Sequence, residues 1–235
     1  MKSRRNEFAT MTQDLLASAA VKDILTGMAV GLGTGRAATR AIRALAERAA
    51  AERLALRCVA TSKASHDLAA KLGLTVGSLE EIGRLDYLFD GADEVDPALR
   101  MIKGRGGAMT REKIVAHASA RRVYLIQSDK LSSRLGERAP LPVEVRVSDL
   151  AGVRQELRKI GLKGPVRLKD DGTPYQTDNG NPVIDAPLGP DLDVVKLGAS
   201  LDALAGVVGH GLFLTEANDV LIEDAEGRVS RRSRA

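Results

Sequence analysis

Two stretches concentrate groups able to move protons. DGADEVD (90–96) places Asp90 and Asp93 in a segment with four acids in seven residues. KGRGGAMTREKIVA (103–116) sets Lys103 before a glycine-rich turn and Glu112 after it. A carboxylate beside an ammonium suits removal of a proton next to a carbonyl, since one takes the proton and the other steadies the developing oxyanion. Each motif also has a plainer reading. DGADEVD could be a solvated acidic turn, or a divalent-metal loop. The calcium pattern D-x-[DN]-x-[DN]-G fails, because Ala92 and Glu94 hold its third and fifth positions. Glu112 could simply be a first-turn acid favoured by the helix dipole, with Thr110 as a cap.

Three more segments could meet an anion. GLGTGRAATRAI (31–42) offers backbone N–H groups at a helix start, with a Thr34 hydroxyl. The alternative is a tight strand-to-helix turn. The frame Gly33–Gly35–Ala38 fits the dinucleotide pattern G-x-G-x-x-A, but the second strand ends in Thr61–Ser62 with no acid there to hold a ribose hydroxyl. In TSKAS (61–65), Thr61 and Ser62 could cap a helix or line a phosphate site. In QSDK (127–130), Lys130 could meet an anionic ligand or lie in solvent. Other chemistries lack their parts. His66, His117 and His210 have no H-E-x-x-H spacing, G-x-S-x-G is absent, and Cys58 falls within an apolar strand pattern.

The elements that must carry these groups alternate. Strands are expected at 28–32, 56–60, 85–89 and 123–126, with helices at 36–50, 64–72 and 109–120. That order implies a parallel sheet with helices on both faces. Four of the segments then lie at C-terminal strand ends, where open parallel sheets bind ligands, and the Lys103–Glu112 turn follows one of them. Beyond Pro140 the pattern becomes βαββα, resembling part of a ferredoxin-like unit. The expected division is a Rossmann-like unit over 1–137, completed by 207–235, and a smaller α+β unit over 138–206.

The 235 residues suffice for one large domain or two small ones, and 44% hydrophobic with 28% charged residues is ordinary for a globular chain. No apolar run is long enough to span a membrane and no secretory leader is visible, so no membrane partner is expected. The lone Cys58 fits a cytoplasmic location and excludes cysteine-based zinc sites. The net charge of +4 comes from the ends. Without 1–8 and 228–235, which hold seven basic residues and one acid, the chain is net −2. Solvated tails are expected, with no nucleic-acid partner, because no aromatics interleave the arginines.

The ordered motifs VGLGTG (30–35), TS (61–62), DGADEVD, IKGRGGAMTREKIVA (102–116), PLPVEV (140–145), TDNGN (177–181) and GVVGHGLF (206–213) resemble the type A ribose-5-phosphate isomerases. The resemblance implies interconversion of ribose 5-phosphate and ribulose 5-phosphate in the pentose phosphate pathway, with no metal or cofactor, by a homodimer or larger homo-oligomer. It implies Glu112 as the base between C1 and C2, and Asp90 and Asp93 at sugar hydroxyls, with Asp90 also in ring opening. Lys103 would stabilise the enediolate, and Lys130 would bind substrate. Phosphate would sit at Gly33, Thr34, Gly35, Arg36 and Ala37, with Thr61, Ser62, Gly91, Ala92, Gly104, Arg105 and Gly106 completing the site. Arg36 and Ala37 stand where the family usually has hydroxyls, and Arg105 where it has glycine, so the phosphate end or substrate size could differ. Two other readings stay open: the same isomerisation on another aldose phosphate, and a non-catalytic sugar-phosphate sensor.

Overall fold

A computed structural model describes residues 14–234. The basic Lys2, Arg4 and Arg5 lie outside the described residues. In chain order the elements begin α1 (Leu15–Val21), β1 (Ala29–Leu32), α2 (Arg36–Glu52), β2 (Arg57–Ala60), α3 (Lys63–Lys71), α4 (Leu79–Ile82) and β3 (Leu85–Gly91). Then come β4 (Glu94–Val95), β5 (Met101–Ile102), α5 (Met109–Ala118), β6 (Ser119–Gln127), β7 (Leu141–Val145) and α6 (Leu150–Lys159). The chain closes with β8 (Val183–Ala186), α7 (Val194–Asp202), β9 (Val207–His210), β10 (Leu212–Phe213), β11 (Asp219–Glu223) and β12 (Val229–Ser233).

The main sheet runs β12-β11-β6-β3-β1-β2 and is parallel except for β12. Apolar side chains alternate to its two faces. Val30, Leu32, Phe89 and Leu125 pack under α1, α2 and α3 with Leu16, Ile42 and Leu45. Leu88, Tyr124, Ile126 and Val220 pack on the other face against Met109, Val115 and Ala116 of α5. Burial on both faces is why these strands read as near-continuous apolar runs. Cys58 is buried in β2, and burial pushes its thiol up to about 12. Among the described residues no helix is long and apolar enough to cross a membrane.

A second, antiparallel sheet has the order β8-β7-β9, backed by α6 and α7 through Val153, Leu157, Leu197 and Leu201. Val166 bridges Ile184 antiparallel on the far side of β8. It stands where the second strand of a βαββαβ unit belongs, so the ferredoxin-like pattern is met with one strand reduced to a bridge. A third small sheet, β10-β5-β4, packs Met101 and Phe213 into the core of the main sheet and Ile102 and Leu212 into that of the second.

Two details differ from the sequence reading. Val207–His210 does not return to the main sheet: it pairs with β7, and the return is made by Asp219–Glu223 beside β6. The runs look alike in sequence, and only tertiary pairing separates them. The C-terminal arginines also do not form a free tail. They sit on or beside β12, where Arg228 pairs with Asp224, Arg231 lies 3.6 Å from Asp23, and Arg234 donates to the carbonyls of Leu99, Leu214 and Ala217. A charged, exposed strand is typical of a sheet edge, which hides it from a search for apolar runs.

Candidate active site

The ends of β1, β3 and β6 open onto one cleft of about 590 Å³. Thr34, Gly35, Arg36, Ala37, Gly91, Ala92, Asp93, Lys103, Gly104, Arg105, Gly106, Glu112 and Lys130 all line it. Four other expected residues stand behind that lining. Asp90 is fully buried beneath it, Gly33 is the point where β1 meets Asp90, and Thr61 and Ser62 lie behind Thr34.

The end of the cleft expected to take the phosphate is built from backbone. Gly35 has φ of +96°, a conformation that favours glycine, and as the residue preceding α2 it has no side chain to cap the helix. The first-turn N–H groups of α2 are thereby left for a ligand. Thr34 is fixed from below: its Oγ1 lies 2.7 Å from Thr61 Oγ1 and donates to Ser62 Oγ at 2.8 Å. Ser62 is itself the cap of α3, accepting from Ser65 N, and Ser65 Oγ ties back to the Gly33 carbonyl at 2.6 Å. Thr61 and Ser62 thus serve as supports and a cap, one of the two roles their types allowed. Arg36 is exposed at the rim, and Lys130 enters the cleft from the turn after β6, with Asp129 at 3.8 Å.

The other end is a buried charge cluster. Asp90, next to last in β3, is pressed against the turn after β1, where a Cβ on Gly33 would fall 2.2 Å from Asp90 Oδ1. That oxygen accepts from the N–H groups of Thr34 at 2.9 Å and Gly91 at 2.7 Å. Its other oxygen, Oδ2, faces Lys103 Nζ at 3.0 Å without the alignment of a hydrogen bond. Lys103, only 2% exposed, donates to Glu112 Oε1 at 3.2 Å and to the Gly91 carbonyl. The rings of Tyr124 and Phe213 face its ammonium, each centroid 5.5 Å away. Glu112 Oε2 has no hydrogen-bond partner.

Burial alone would drive the proton off Lys103, but the Asp90 and Glu112 charges outweigh it and hold the ammonium well above the ordinary lysine range. Burial pushes the Glu112 carboxyl up to about 8, against the pull of Lys103 and reinforced by the charge of Asp90. A carboxyl tuned near neutrality is poised to take and return a proton.

The turn carrying Arg105 is clamped from the second sheet. Asp93 Oδ2 accepts from Arg105 N at 2.9 Å. Arg167 donates to the carbonyls of Gly104 and Arg105 while held bidentately by Asp185, and the Tyr175 hydroxyl donates to the Gly106 carbonyl at 3.0 Å. Thr110 does not cap α5, which starts after Ala108 with no side-chain cap; its hydroxyl donates instead to the buried Glu144. Glu144 also gathers Thr177, Asn179 and Asn181, drawing TDNGN against α5. Sequence reasoning missed Arg167, Tyr175 and Glu144 as supports, and Arg40 as a wall of the cleft. Arg167 and Tyr175 sit in no motif with a local chemical rationale, and Arg40, though inside the 31–42 segment, carries no signal there beyond its place on a helix. The only trace of Glu144 was an acid inside an apolar strand run.

Comparison with known proteins converges on one group. Residues 57–227 match the family model described as ribose 5-phosphate isomerase A (phosphoriboisomerase A). A protein of Roseiflexus sp. (strain RS-1) named ribose-5-phosphate isomerase A is 44% identical, over 91% of this chain and 92% of its own length. The solved structure of ribose 5-phosphate isomerase A from Methanocaldococcus jannaschii is similar with a TM-score of 0.88 at 37% identity, covering 93% of this chain and 96% of its own. A D-ribose-5-phosphate isomerase solved in complex with phospho-erythronic acid has a TM-score of 0.89 at 33% identity, with the same two coverages of 93% and 96%. Likeness of this degree, along nearly the whole length and in fold as well as in sequence, leaves one conclusion: the chain belongs to the ribose-5-phosphate isomerase A family.

Proposed function

We propose that this protein interconverts ribose 5-phosphate and ribulose 5-phosphate through an enediolate. The observation that carries the reading is the buried Lys103 ammonium between Asp90 and Glu112, with Glu112 lining the cleft and its Oε2 left without a partner. With the open-chain aldose bound, Glu112 takes the C2 proton, and the electron pair moves through C1 onto O1. Lys103 steadies the oxygen that becomes negative. Glu112 then returns the proton to C1 while the O2 proton passes to O1 and the C2–O2 double bond forms, giving the ketose. Asp90 and Asp93 hold sugar hydroxyls, and Asp90 assists ring opening. The phosphate rests on the first-turn N–H groups of α2, with Arg36 and Lys130 beside it. The bound phospho-erythronic acid of the solved relative, a phosphorylated sugar acid, supports this ligand class.

The protein is further proposed to be a cytoplasmic homo-oligomer, which light scattering on the purified chain tests for assembly. The test of function is conversion of ribose 5-phosphate by the purified chain in excess EDTA, with Glu112→Gln alongside. Turnover is expected to survive EDTA and to collapse in the mutant. A folded wild-type chain without turnover, or a fully active mutant, would overturn the reading.

A further inference from the structure

Arg40 lies one helical turn after Arg36 on α2, so the two share a face, and Arg40 forms part of the cleft wall. Its guanidinium is held between two carboxylates. Nε and Nη2 donate to Asp14 at 2.5 and 2.8 Å, and Nη1 and Nη2 donate to Glu223 at 2.8 and 2.7 Å. Four of the five N–H donors of an arginine are thereby used, and one on Nη1 remains. Glu223 ends β11 in register with Gln127, which also lines the cleft, so this carboxylate stands near the anion end. Glu223 and Asp14 together hold the guanidinium charge far beyond any loss at working pH.

Two carboxylates beside a site for a dianion would repel the ligand if left bare. We propose that Arg40 is a specificity-determining residue for phosphorylated ligands: it masks Asp14 and Glu223 at the phosphate end and turns its remaining N–H toward the phosphate. The inference rests on the sugar-phosphate reading of the cleft, but it concerns anion binding rather than proton transfer. The arginine acts on affinity, and the Lys103–Glu112 cluster acts on rate.

Calorimetric titration of the whole chain with inorganic phosphate tests this without turnover, and ribose 5-phosphate kinetics run in parallel. In Arg40→Ala, phosphate affinity is expected to fall tenfold or more and KM to rise to match, with kcat within about threefold. Adding Asp14→Asn and Glu223→Gln to that mutant restores most of the loss, because the exposed charges are gone. In the otherwise native chain, Asp14→Asn with Glu223→Gln keeps the arginine and tightens phosphate binding. Native phosphate affinity in folded Arg40→Ala overturns the proposal, as does failure of the carboxylate substitutions to restore it. If Arg40→Ala does not fold, the variant that keeps the arginine decides: unchanged or weaker phosphate binding there overturns the masking. If phosphate binds as expected but ribose 5-phosphate is not turned over, the isomerase reading fails and the anion site stands.

Discussion

The two ends of the cleft are made of different materials. The proposed anion end consists of backbone donors at the start of α2, beside exposed cations such as Arg36. The chemical end consists of three ionisable side chains buried against one another, Asp90, Lys103 and Glu112. Backbone donors persist through side-chain substitution, and solvent screens the exposed charges around them. In a buried cluster each member sets the state of the others, and removing one leaves an uncompensated charge. Apart from Arg40 with its two carboxylates, the first end should therefore tolerate sequence change, and the second should not.

Four expectations test that contrast. Glu112→Gln keeps the shape of the cluster but removes the base, and kcat should fall by ~10²–10⁴-fold with normal folding. Steady-state kinetics beside circular dichroism checks this. Lys103→Met should lower kcat by ~10²–10³-fold, the scale of losing one oxyanion donor. It should also cost stability, because Asp90 and Glu112 then face each other unpaired, and a denaturant titration reads that loss. The pH profile is the third. Glu112 must be ionised to act, and its carboxyl sits near 8, so kcat/KM should rise roughly tenfold from pH 6 to 7, bend at about 8 and level off roughly one unit above that. A profile flat over this range would show that the cluster does not hold the proton. Arg36→Ala should have the smallest effect, a few-fold rise in KM with kcat unchanged, fading at high salt. A hundredfold effect there would erase the distinction between the ends.

How far the sequence disclosed this depends on where the information lies. Gly33, Asp90, Lys103 and Glu112 sit in short motifs whose residue types imply both a turn and a charge, and the strand–helix alternation told which ends of the strands would gather them. The parallel sheet was legible because its strands are apolar on both faces. What stayed hidden was contact between distant segments. Arg40 meets Asp14 and Glu223 across 26 and 183 residues of sequence separation. Arg167 reaches the Gly104 carbonyl across 63 residues from a turn-rich stretch with no apolar period. β12 was hidden for another reason: edge strands favour charge, and a run such as RVSRRS shows no hydrophobic face to read.

The clamp on the 104–106 turn has a consequence for how the protein loses activity. The backbone beside Lys103 is pinned by Arg167 and Tyr175, which belong to the stretch between β7 and β8 rather than to the main sheet. Local opening of a protein generally proceeds in cooperative units of unequal stability. If the smaller sheet loosens first on warming, the turn loses its outer anchors while the six-stranded sheet is still intact. Heat inactivation would then run ahead of the loss of secondary structure, and the half-life of the catalyst would be set by its smaller sheet.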